Sequence, residues 1–249
     1  GSAVTIGVAG CSGEGTQTAA GGDTPDSTSA PTDSATATDS ATATATETDT
    51  PTGTPTPTGE AEVVIGERTI ESFETSYGSK DYYAVANLMN KAEVPSGTIE
   101  AEARFYNDSD NLIDSSTAYL RTLGPGETWH MYNQLLATDA EPTSVEVEAS
   151  FDAVPPSIPD SVEVVEDSLS GGDTNEVTST AVIANNTGEE LSYLEGISKF
   201  YESDGVVLTT GYKNINGLPA GDNWEIENTF RRSASPKVVS HDIVPTTSL

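Results

Sequence analysis

The chain has 249 residues with 40 acidic and 10 basic side chains, a formal charge of −30, and a single cysteine. That balance argues against a nucleic-acid partner, because no basic patch exists to meet phosphates. One cysteine excludes an intrachain disulfide, and no run of about 20 apolar residues offers a transmembrane helix. The acids alternate with Val, Ile, Tyr, Phe and Trp over much of the chain, which predicts a folded domain with a carboxylate-rich surface. Self-repulsion weakens such a fold in dilute buffer, and molar salt, with a screening length of about 3 Å, removes most of the repulsion. The composition therefore predicts adaptation to a very salty medium, the alternative being an ordinary acidic surface protein.

The first stretch, SAVTIGVAG, is small and apolar and the chain begins without Met, as expected when a sequence starts inside an export signal or at an artificial boundary. Val8, Ala9 and Gly10 precede Cys11. An apolar residue, two small ones and a cysteine resemble a lipobox, the motif of exported lipoproteins, and residues 1–15 are read as a signal remnant with that motif. Small residues suit the peptidase that cleaves before the cysteine, and the thiolate is the nucleophile that takes a lipid as a thioether. The resemblance implies a mature chain starting at a lipidated Cys11. Two acyl chains hold a protein on a membrane where one does so only marginally.

Residues 16–59 are almost purely Thr, Ala, Ser, Asp, Gly and Pro. Without aromatic or large aliphatic side chains they cannot bury a core, and they read as a disordered stalk of the kind that is often O-glycosylated. At about 3.1 Å per residue in a polyproline-type conformation, such a stalk reaches on the order of 100 Å.

The remainder holds an internal repeat. Phe105-Tyr106 answers to Phe200-Tyr201, Leu123 to Leu218, and Trp129 to Trp224, each a step of 95 residues. A constant offset over aromatic anchors predicts two tandem domains, 60–155 and 156–249, split near Pro155-Pro156. Within the copies the period is two. Ile99, Ala101, Ala103 and Phe105 alternate with Glu100, Glu102, Arg104 and Tyr106, and Val145, Val147, Ala149 and Phe151 alternate with polar residues. This predicts strands with one buried and one wet face. Turn residues stand between them at 107–110 and 203–205. Short strands at regular spacing over some 90 residues predict an all-β chain of two tandem immunoglobulin-like β-sandwiches, with Phe105, Trp129, Phe200 and Trp224 as core anchors. The strand ending in Asn, the FY strand with its Asp-rich turn, and the L-x-x-G-x-x-W stretch together resemble FxLYD domains. These are small sandwiches of prokaryotic surface proteins, common in lipoproteins of salt-loving archaea. The resemblance implies no catalytic residue.

Motifs that carry chemistry are sparse. His130 and His241 are the two histidines, in different copies, and His130, next to Trp129, is expected on the wet face. A Ser-His-Asp set is compatible with the composition, but no Gly-x-Ser-x-Gly, phosphate-binding glycine loop or zinc spacing occurs. Asp108, Asp110 and Asp114 alternate as calcium ligands can, yet the glycine and closing Glu of a calcium loop are missing and the second copy has only Glu202 and Asp204 there, so a solvated turn is expected and neither metal nor cofactor. Asn107 and Asn185 begin N-glycosylation sequons at expected turns, where a sugar would be exposed.

The sequence thus reads as a non-enzymatic lipoprotein on the outer face of the cell membrane, held through Cys11, with an adhesive, envelope-structural or protein-interaction role toward a surface protein or glycan. Exposed strand edges offer one route to a partner. The alternatives are an accessory ligand-binding lipoprotein of a transporter and a subunit of a surface filament or array.

Overall fold

The computed structural model describes residues 59–75, 77–136, 141–171, 176–231 and 237–247. Cys11, its lipobox and residues 16–58 of the expected stalk lie outside the described residues. The described residues belong to one compact unit.

This unit is all-β, as the alternation predicts. The first copy supplies β1 (Val63–Glu74), β2 (Lys80–Asn90), β3 (Ile99–Tyr106), β4 (Leu112–Leu120), β5 (Thr128–Gln134) and β6 (Ser144–Phe151). The second supplies β7 (Val162–Ser170), β8 (Glu176–Asn185), β9 (Leu194–Tyr201), β10 (Val207–Ile215), β11 (Asn223–Arg231) and β12 (Ser240–Thr246). Pro155-Pro156 falls in the connection between β6 and β7. In the first copy β1-β2-β5 faces β4-β3-β6, and in the second β7-β8-β11 faces β10-β9-β12. Each is an immunoglobulin-like pair of antiparallel sheets.

The 95-residue step governs register as well as sequence. Leu88 pairs with Trp129 and Ile183 with Trp224. The β3–β4 ladder shifts between Phe105 and Tyr106, and the β9–β10 ladder shifts at the matching place, where Phe200 faces Thr209 and Tyr201 faces Val207. The LGPG and LPAG turns that lead into the Trp strands place Gly126 and Gly221 at φ of 71° and 78°, a left-handed conformation that glycine adopts without a Cβ clash.

Burial follows the pleat in the first copy. Ile99, Ala101, Ala103 and Phe105 are fully buried with Leu88, Leu120, Leu123 and Met131 around them, while Glu100 is exposed. Full burial stabilises by about 1.5–3 kcal/mol for each large side chain. β9 departs from its repeat β3: residues 194–200 are buried on both faces. The wet face that alternation predicts for this strand is covered, and the reason is the other sandwich. β5 and β10 meet, so that β1-β2-β5-β10-β9-β12 runs as one six-stranded sheet through both halves.

Candidate functional site: the junction between the sandwiches

The joining contact is a short parallel pairing of β5 with β10, at Trp129 and Val207. Trp129 is 2 % exposed, and its indole Nε1 donates to the Leu208 carbonyl at 3.1 Å. A buried indole N–H needs such an acceptor, and here the second sandwich provides it.

Polar groups surround this anchor. Glu127, in the turn before β5, accepts from the Gly124 N–H at 2.5 Å, from the Tyr201 hydroxyl at 2.9 Å and from the Lys199 ammonium. The Lys199 side chain is 4 % exposed, a burial that a cation tolerates only with a partner charge. Burial, and then the Glu127 carboxylate beside it, pushes the Tyr201 phenol well above the ordinary tyrosine range. Arg121 approaches from the same end of the first sandwich. Its backbone N–H donates to Thr210 Oγ1 at 2.9 Å and its guanidinium lies 3.8 Å from the Tyr212 ring centre, a cation–π distance. Its Nε stands 3.4 Å from buried Glu195 Oε1 without completing a hydrogen bond. Tyr193 donates to the other Glu195 oxygen at 2.9 Å, and its phenol is raised by burial first and by Glu195 second.

His130 does not lie on a wet face as expected. It is partly buried, with Nδ1 2.7 Å from Glu202 Oε1 of the second sandwich and its ring 4.6 Å from that of Tyr132. Beside Trp129 lies a cleft of about 320 Å³, with Tyr83, Tyr119, Tyr132, Leu208 and Phe230 among its lining residues.

The other expected anchors are placed unevenly. Phe105 and Phe200 are 0 % and 1 % exposed. Trp224 is half-buried, packed at the margin of a cluster that includes Ile183, Leu194 and Ile226. It meets the core with one part of its ring and is less covered than Trp129, because β11 is an end strand of its sheet. The expected exposure of Asn185 is also corrected. Its side chain is fully buried, and Nδ2 donates to the carbonyls of Glu189, Leu218 and Pro219, so the atom that would carry a sugar is committed inside the fold. Asn107 is partly exposed, and its Oδ1 accepts from the Ser109 and Asn111 N–H groups in the turn after β3. In the same turn Asp110 adopts φ 57°, as Asp204 adopts φ 70° in the other copy. Among the described residues no three His, Cys, Asp or Glu side chains gather as a metal site, and no helix is long and apolar enough to cross a membrane.

One constellation was not foreseen. Ser179 Oγ lies 2.7 Å from His241 Nδ1, and His241 Nε2 lies 2.9 Å from Asp167 Oδ2. Ser179 also donates to Ser198 at 3.0 Å, and Asn228 Nδ2 donates to the same Ser198 oxygen at 2.9 Å. The residues are those of a hydrolytic triad, but Ser179 is fully buried and a nucleophile must meet its substrate. The network stitches the two sheets of the second sandwich together. At the matching ladder positions the first sandwich has Ala84, Ala103 and Val145, the last strand running at a step of 96, since Val145 pairs with Phe105 as His241 pairs with Phe200.

Sequence reasoning missed Glu127, Lys199, Arg121 and Glu195 as a group, since they come from both copies. A signal was present: Ile197 stands where the repeat has Glu102, an apolar residue on the face that alternation assigns to water. No family model matches the chain, and no curated protein matches it. Among solved structures it is similar to the crystal structure of red sea bream transglutaminase, at 10 % identity and a TM-score of 0.24, over 70 % of this chain and 27 % of that one.

Proposed function

We propose that the chain is an exported, lipid-anchored surface protein whose joined sandwiches act as a non-enzymatic interaction module, of the FxLYD-like kind found in surface lipoproteins of salt-loving archaea. The observation that supports it most is the junction itself. Trp129 and Lys199 are buried between the halves, which fixes one sandwich on the other and suits a protein that presents a shaped acidic surface. The anchor reading rests on Val8-Ala9-Gly10-Cys11. The test is a comparison of the protein with its Cys11→Ser variant in a halophilic host, by membrane fractionation and mass of the N-terminal peptide. A membrane-bound chain that begins at Cys11 with a lipid mass absent from the variant supports the anchor; two soluble forms overturn it.

A second reading is favoured by one observation. The cleft of about 320 Å³ beside Trp129, lined by aromatic rings together with Gln134, Thr209 and Arg231, suits an accessory lipoprotein that holds a small polar solute, since such sites combine ring faces with a few placed polar groups. A melting-temperature rise on titration with one of a panel of sugars and short peptides, lost in Trp129→Phe with Tyr132→Ala, would favour it over the interaction module.

A further inference from the structure

Resting on the reading of the chain as an interaction module, we propose that its partner is a second copy of itself, docked head to tail so that the β4 edge of one chain joins the β11 edge of the next. The junction within the chain uses one edge from each half, β5 from the first and β10 from the second. Their repeats, β11 and β4, are end strands of their sheets. They stand in the same registers: Trp224 faces Ile183 as Trp129 faces Leu88, and Leu112 faces Tyr106 as Val207 faces Tyr201. The molecule thus carries a used copy and an unused copy of both halves of one contact.

The chemistry repeats with the register. Trp129 and Val207 are 2 % and 0 % exposed, whereas Leu112 is 56 % exposed and Trp224 is half-buried. Docking the β11 edge on the β4 edge covers both, and offers the Ile113 carbonyl to the Trp224 indole as Leu208 serves Trp129. Glu127 takes Lys199 and Tyr201; at its repeat address Asp222 is exposed and would meet Arg104 and Tyr106. Those two now hold Glu102, Glu148 and Glu146 at the surface, pairs of little worth that can exchange. The contact of His130 with Glu202 becomes Glu225 with Asn107, an amide donating to a carboxylate.

Four addresses lose their part in the contact, Tyr212 of the cation–π pair falling on Thr117 and Tyr193, the donor to Glu195, on Thr98. Arg121 is replaced by Asn216, and buried Ile197 by Glu102. The contact between chains is therefore weaker than the one within a chain and lacks its covalent link, so association is reversible. A head-to-tail contact uses different patches on the two partners and leads to open strings or rings. A charge of −30 on each chain opposes it in dilute buffer, and molar salt screens that repulsion.

Sedimentation velocity of the full chain in molar potassium chloride, over a range of protein concentrations, tests this. The weight-average mass rises with concentration, and Trp224→Ala and Leu112→Glu each shift association to a concentration at least about tenfold higher. Asp222→Arg and Arg104→Glu each weaken it alone, and mixing these two variants restores it, because the swapped charges meet again. The mixing experiment decides the matter even where loss of Trp224 weakens the second sandwich. A wild type that stays monomeric to high micromolar concentration overturns the proposal. So do variants that associate like wild type, or a mixture that does not recover. Lipid attachment at Cys11 is read separately by fractionation, so loss of the anchor reading and loss of self-docking are distinct results.

Discussion

Asn185 repeats three of the hydrogen bonds of Asn90. Asn90 Nδ2 donates to the carbonyls of Val94 at 2.8 Å and Leu123 at 2.9 Å, and Asn185 Nδ2 donates to those of Glu189 at 2.8 Å and Leu218 at 2.9 Å. Each Oδ1 accepts from the N–H two residues on, at 3.1 Å in both copies. Each amide ties the end of its strand to the turn before the Trp strand. Replacement by Ala strands buried carbonyls, at a cost of about 1–3 kcal/mol. Asn90→Ala and Asn185→Ala should lower the free energy of denaturant unfolding by similar amounts, and peptide mass mapping of the protein expressed in cells that attach N-linked sugars should find none on Asn185.

Trp129 and Trp224 should differ in worth despite their common address. Truncating the buried indole of Trp129 to Ala should cost about 3–5 kcal/mol, as for other large core aromatics. Trp224→Ala should cost less than half as much, because its ring is half-buried. Equilibrium unfolding in molar salt gives both numbers in one series.

The pair of Lys199 and Glu127 should show strong coupling. Glu127→Gln leaves an ammonium that is 4 % exposed without its counter-charge. Breaking a buried pair from one side costs about 3–5 kcal/mol, and the lower end applies here because Glu127 is 24 % exposed. Glu127→Gln combined with Lys199→Met should lose less than the two single variants together, as a double-mutant cycle measures.

Tyr201 makes the fold sensitive to alkali. Its folded pKa is raised, so the native state holds the phenolic proton more tightly than the unfolded chain. This stabilisation is complete below the unfolded tyrosine pKa of about 10 and is lost as pH rises above it. In an ultraviolet titration of tyrosinate, Tyr201→Phe should leave the number of phenols ionising near pH 10 unchanged and remove one from those that ionise only on unfolding.

The pair of Ser179 and His241 should be partly replaceable. His241→Val alone leaves the Ser179 hydroxyl without its imidazole and should cost about 1–3 kcal/mol. Adding Ser179→Ala removes the stranded hydroxyl while Ser198 still accepts from Asn228 Nδ2, and should recover part of that loss. Thermal unfolding of the single and double variants provides the comparison.

The strands were legible because each carries its own record of burial. Ile99 to Phe105 alternates with polar residues, and the step from Phe105 to Phe200 brought the second copy with it. The junction was not legible in the same way. β5 and β10 touch at a single ladder position, which leaves no periodic trace, and Lys199 reads as a surface residue until Glu127 is placed over it. Asn185 misled because one residue type serves exposed turns and buried ties equally. His241 and Ser179 lie 62 residues apart, beyond the reach of any local spacing rule.

The acceptor that receives the Trp129 indole is a main-chain oxygen. A carbonyl is present whatever side chain stands at position 208, so mutational drift there alters the packing around the bond while sparing the bond itself. An edge that recognises a neighbour through its backbone tolerates much change of sequence on the neighbour's side. Related chains with diverged second strands could retain this way of joining long after their side chains had ceased to resemble one another.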